Sequence, residues 1–205
     1  MNSCITCKEA IEHCMSTHTF AFAHLYGDEK IMDMHIHNCC EVYYSISGGK
    51  QFLIDHCLYD IRPGDLFLIN QFESHHLTQI DQQTHERIIL SIDPEYLSKL
   101  STGATDLGHC FSFRDTRMPH QIHLSPKEQN RFMYFIHELH DDGGMGEDLL
   151  DQAIFLELMV FLNRAFAARC TDAAAPAPTP FSNYHAQVAA ILSYINSHIG
   201  EPLTL

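Results

Sequence analysis

Basic residues are scarce in this 205-residue chain: 12 Lys and Arg stand against 26 Asp and Glu, for a formal net charge of −14. Such a surface repels phosphate and forfeits the counterion release on which nucleic-acid affinity depends, so these residues alone are not expected to bind DNA. Long apolar runs are missing as well. No stretch approaches the roughly 20 apolar residues that span a bilayer, and the opening MNSCITCKEAIEHC has neither the basic nor the apolar block of a secretory signal. The expectation is a cytoplasmic protein with no membrane contact, whose eight cysteines stay reduced, mostly as buried thiols.

What is present is an ordinary globular balance, 45% hydrophobic and 19% charged, in a length that suits one main domain and an appendage. The sixteen histidines make the true charge depend on pH. After an N-terminal segment (1–16), short apolar or alternating runs follow one another from Thr17 to Ile92: THTFAFAH, IMDMHIH, EVYYSIS, KQFLID, CLYDI, DLFLIN, HHLTQI and ERIILSI. Many short strands at this spacing predict a sandwich or barrel. Gly48-Gly49 and Arg62-Pro63-Gly64-Asp65 mark turns between them. Pro94 to Leu100 reads as a short helix, and HCFSF and HQIHL as two further edge strands, which extends the β domain over 17–124.

From Ser125 the phrase SPKE combines a capping serine, a first-turn proline and a capping-box glutamate, and predicts a helix to about His140. Asp141 to Gly146 breaks it, and Glu147 to Arg169 reads as a second helix, so 125–170 is expected to form an antiparallel helical hairpin. The second helix carries apolar residues around nearly its whole circumference, more than one packing face can bury. The Ala- and Pro-rich stretch TDAAAPAPTP then predicts an exposed linker over 171–183. An amphipathic helix with Val188, Ile191, Leu192 and Ile195 at helical spacing follows.

On a strand, His35-Ile36-His37 puts both imidazoles on one face, because side chains alternate with period two. Three residues separate His37 from Glu41, and six separate Glu41 from Gly48. That spacing resembles the first cupin motif, although seven residues separate Gly27 from His35 where the motif expects five. Gly64-Asp65, the strand LFLIN and then His75 resemble the second motif, with Asn70 and Phe72 standing where proline and glycine are usual, and Gln79 where asparagine is.

The resemblance implies a mainly β fold with an α appendage, namely a cupin (double-stranded β-helix, jelly-roll) barrel followed by the hairpin. It also implies that His35, His37, Glu41 and His75 converge inside. Three imidazoles and a carboxylate suit a divalent first-row metal such as Zn, Ni, Fe or Mn. The same residues, with Tyr43 on the parity of Glu41, equally suit the lining of a small-molecule effector cavity. Phe22 and His24 are weaker candidates for that lining, since an aromatic in a strand is more often core. His76 is expected at the surface, and the lone Cys4-x-x-Cys7 pair is expected to be incidental.

The last segment, 184–205, resembles the opening of the AraC-type DNA-binding domain, where a helix with Tyr194-Ile195-Asn196 leads to Pro202-Leu203-Thr204-Leu205. The order of barrel, hairpin, linker and this phrase is similar to the sensing half of an AraC-type transcription regulator, cut where the helix-turn-helix domain begins. That family implies a metal or small-molecule effector inside the barrel, a homodimer through the hairpin, and DNA contact only through the C-terminal domain. The competing expectation is a metal-dependent cupin enzyme of dioxygenase or isomerase type, using open coordination positions at the same four residues.

Overall fold

The computed structural model describes residues 6–26, 34–49, 51–55, 57–79, 85–112, 120–139, 144–170, 179–180 and 194. Two antiparallel sheets carry the fold. The first runs in the order β1 (Phe20–Leu25), β7 (Arg87–Ile92), β2 (Cys40–Ser45), β5 (Asp65–Ile69), β8 (Gln121–His123). The second runs β6 (His75–Gln79), β3 (Gln51–Ile54), β4 (Cys57–Asp60), β9 (Thr179–Pro180).

The first sheet is the middle layer, which explains why β2, β5 and β7 are buried at every residue. Strand parity divides its side chains between two cores. Phe20, Phe22, Val42, Tyr44, Leu66, Leu68, Ile88 and Leu90 face the helices. Ala21, Ala23, Tyr43, Phe67, Ile69 and Ile89 face the second sheet, where they meet Phe52, Ile54, Tyr59 and Leu77. Phe22 therefore belongs to the helix-side core and not to the cavity lining considered above. His24 lies at the strand end, its Nε2 2.9 Å from Glu86 Oε1.

The helical layer consists of α2 (Pro94–Leu100), α3 (His109–Ser112), α4 (Pro126–Glu138) and α5 (Glu147–Cys170). Its anchor is Phe155 of α5, stacked on Phe20 at a centroid separation of 4.3 Å. Glu128 accepts from the Ser125 N–H (2.8 Å) and hydroxyl (2.6 Å), and so starts α4 as the SPKE phrase predicts. It also pairs with Arg169 at 3.1 Å, and Arg131 pairs with Glu157 at 2.7 Å, which ties α4 to α5. Phe155, Leu158, Met159, Leu162 and Phe166 are buried within the chain, but Leu149 and Leu150 remain 66% and 61% exposed.

One expectation changes. HCFSF is not an edge strand: His109–Ser112 is a helical turn, held by Asn163 of α5, whose side chain accepts from the Cys110 N–H (3.0 Å) and donates to the Leu107 carbonyl (2.9 Å). The N-terminal segment packs against the sheets. Its helix α1 (Cys7–Thr17) has a capping box between Thr6 and Glu9 and buries Cys7, Ala10 and Cys14 in the inter-sheet core. Within the stretch expected to be an open linker, Thr179 and Pro180 pair with Leu58 and Cys57 as an edge strand, a place proline tolerates because an edge leaves its missing N–H facing outward. Cys4 and, apart from those two residues and Tyr194, the rest of 171–205 lie outside the described residues. Among the described residues no disulfide joins two of their seven cysteines.

Candidate metal centre

The site is assembled by backbone pairing between segments distant in sequence. His35 and His75 exchange both main-chain hydrogen bonds, at 3.3 and 3.1 Å, which places their side chains on one face. Their rings come within 4.3 Å, and the ring of His37 lies 4.9 Å from that of His75. Donor atoms of the three histidines all lie within 4.8 Å of one another. Glu41 enters from β2 in the middle sheet, only 2% exposed. Its Oε2 is 3.1 Å from His37 Nε2 and 3.7 Å from His75 Nε2.

Two of the imidazoles are oriented by their outer nitrogens. His37 Nδ1 donates to the Cys39 carbonyl (3.0 Å), and His75 Nδ1 donates to the Glu73 carbonyl (2.9 Å). Each bond fixes the ring so that Nε2 points inward, the arrangement that supports metal-ligating histidines. Ligands about 2.0–2.1 Å from a tetrahedral metal stand about 3.4 Å apart, and the Glu41 contacts of 3.1 and 3.7 Å bracket that spacing. The donor set therefore fits a divalent first-row metal.

The electrostatics match. Burial alone would lower the pKa of His37, but its bonds to Cys39 and Glu41 and the charge of Glu41 raise it to about 9. His75 is raised in the same way: burial opposes, and Glu41 prevails. Burial would raise Glu41, yet His75 and His37 hold it well below the usual carboxylate range. Without metal, the Glu41 carboxylate favours the protonated form of both imidazoles. Cys39 stays a thiol, since a hydrogen bond with Cys14 and burial both push it up.

Tyr43 shares the face of Glu41, as its parity predicts, but its hydroxyl is committed to His85 Nε2 at 2.6 Å, and His85 Nδ1 donates to the Gly48 carbonyl at 2.7 Å. Its ring packs on Phe52 and Phe67. His35, Glu41, Tyr43 and His75 border one interior void of about 10 Å³, the room of a single water or ion. His76, expected at the surface, is half-buried and edges the same void. Phe72, standing where the cupin motif carries glycine, has φ 63, the left-handed conformation glycine adopts without strain. Its N–H donates to the His37 carbonyl at 2.9 Å.

A larger cavity, about 420 Å³, opens elsewhere, where α2 and the 101–112 segment meet the ends of β2 and β5; Cys40, Asn70, Pro94, Ser98, Ser101 and Asp106 border it. No motif pointed to it, because its lining comes from turns and helix ends with no spacing pattern of their own.

Among solved structures, ToxT from Vibrio cholerae is 11% identical over 91% of this chain and 67% of its own, with a TM-score of 0.50, a likeness of fold. The DMSP lyase DddQ from Ruegeria pomeroyi (21% identity, 36% of this chain, TM-score 0.33) and an RmlC-like cupin from Shewanella frigidimarina (17%, 37%, 0.33) are similar over a smaller share of the chain. The matched region spans 38% of the lyase and 67% of that cupin. No curated protein sequence matches the chain. The family model described as the AraC-like ligand binding domain matches residues 19–159, well over half of the 205. The chain belongs to the AraC-like ligand binding domain family.

Proposed function

We propose that this chain is the effector-sensing and dimerisation portion of an AraC-type transcription regulator, and that its interior site takes a divalent transition metal on His35, His37, Glu41 and His75. The observation that carries the reading is the pair of outer-nitrogen bonds that turn the Nε2 atoms of His37 and His75 toward Glu41, around a void that admits one ion. A bound metal supplies a double positive charge that replaces the imidazole protons. In this reading Tyr43 and His85 wall the site.

Control of DNA binding then rests on a helix-turn-helix domain following 184–205. Metal binding biases the α4–α5 pair and the linker between two arrangements only to the extent that it binds them with different affinity. The α4–α5 pair is the proposed homodimer contact, with Leu149 and Leu150 as the apolar surface left uncovered within one chain. The same four donors would also serve a cupin enzyme. The match of residues 19–159 to the AraC-like ligand binding domain favours the sensor.

Elemental analysis of the purified chain tests the assignment. Near-stoichiometric metal, lost in a His35→Ala/His75→Ala variant, is the expected result. No metal in the parent after reconstitution with Zn, Ni, Fe and Mn overturns it.

A further inference from the structure

A second group of donors lies beside the first centre, built by three loops that the first site does not use as ligands. Asp55 sits in the turn between β3 and β4, Glu73 in the loop between β5 and β6, and His120 just before β8. One donor atom from each lies within 4.8 Å of the other two.

Each side chain is fixed from behind. Asp55 Oδ1 accepts from the Ser74 N–H (3.1 Å) and hydroxyl (3.2 Å). Glu73 Oε2 accepts from the Asn70 N–H at 2.6 Å. His120 Nδ1 is engaged by the Tyr59 hydroxyl at 2.8 Å, which leaves Nε2 directed into the cluster. That Nε2 is buried and makes no hydrogen bond. Glu73 Oε2 is 3.3 Å away, close enough for an ion pair but without hydrogen-bond geometry. His120 as a whole is only 9% exposed.

Two carboxylates held beside each other with little water around them repel. Burial and the Glu73 charge raise the pKa of Asp55 accordingly. A divalent cation removes the repulsion and satisfies the imidazole lone pair together. We infer that Asp55, Glu73 and His120 form a second cation site, separate from the four-residue centre and suited to a first-row divalent ion of the Mn²⁺ type. Two carboxylates and one imidazole are a harder donor set than three imidazoles and one carboxylate, so the two sites differ in preference.

The sites touch at one residue. The Glu73 carbonyl holds His75 Nδ1 while the Glu73 carboxylate enters the second cluster. Occupancy of one therefore reaches the orientation of a ligand in the other.

Mn²⁺ titration of the full chain, followed by the electron paramagnetic resonance signal of the free aqueous ion, tests the assignment. The His35→Ala/His75→Ala variant is expected to keep one tight Mn²⁺, and adding Asp55→Asn to weaken that binding by at least about tenfold. Asp55→Asn alone in the parent is expected to remove one Mn²⁺ site, which serves if the double variant does not fold. Equal Mn²⁺ binding with and without Asp55→Asn, in both backgrounds, overturns the second site. Loss of metal only on His35→Ala/His75→Ala would leave the first assignment standing by itself. Loss only on Asp55→Asn would do the reverse.

Discussion

Glu41 Oε2 and His37 Nε2 are 3.1 Å apart, so a proton and a metal ion compete for the same imidazole lone pair. His37 holds its proton up to about pH 9, and His75 is raised as well. Metal uptake at pH 7 is therefore expected to release at least the His37 proton, and affinity to rise about tenfold per pH unit for each proton displaced until the imidazoles are neutral. Calorimetry in buffers of different ionisation enthalpy counts the protons. A release near zero would mean that the histidines are neutral before metal arrives.

The same pair sets the pH dependence of the metal-free fold. The pKa of His37 is raised on folding, so its contribution is fully present below its ordinary value of 6.5 and is lost as pH climbs through about 9. Glu41 is depressed, so its contribution is present above its ordinary 4.5 and is lost as pH falls below that. Urea denaturation with chelator present should find this contribution largest between those two values and smaller at pH 9. Glu41→Gln should flatten the alkaline slope, and an unchanged slope would exclude the pair as its source.

Phe72 pays a conformational cost at φ 63 of roughly 1–2 kcal/mol for a side chain with a Cβ. Its ring is 51% exposed, so little burial is lost on removing it. Phe72→Gly is expected to stabilise the fold by about 1 kcal/mol net of the added freedom of glycine in the unfolded chain, read as a higher urea midpoint at unchanged slope. A lower midpoint would show that the ring makes contacts worth more than the strain.

Leu149 and Leu150 should matter to assembly and hardly to the fold of one chain. A Leu149→Glu/Leu150→Glu variant is expected to unfold within about 0.5 kcal/mol of the parent, yet to sediment as a monomer where the parent sediments as a dimer. A parent that is monomeric throughout the micromolar range would remove this role from α5.

The centre was legible because its first half is local. His35, His37 and Glu41 lie within seven residues, although in the structure His35 sits in an isolated bridge to His75, His37 lies outside any strand and Glu41 belongs to β2. The strands and α4 were legible for similar reasons, through alternation and the SPKE cap. The second cluster was not. Asp55, Glu73 and His120 come from three connections whose proximity depends on how β3, β5 and β8 are ordered across the two sheets, and no local spacing records that order. The helical turn at His109 was misread as a strand because its apolar residues are stabilised by Asn163, fifty-three residues away from Cys110. Phe22 was displaced for a simpler reason: both faces of the middle sheet are buried, so an inward-pointing aromatic has two possible interiors.

The place of β7 between β1 and β2 has a consequence for synthesis. Both flanking strands take their main-chain partners from residues 87–92, so neither edge can close until the ribosome has delivered that stretch. Contacts of such long sequence separation form slowly. Until then the nascent chain presents Phe20 to Leu25 and Cys40 to Ser45 as open, apolar strand edges. Its period of greatest exposure to aggregation, and of greatest call on chaperones, ends when Ile92 leaves the exit tunnel.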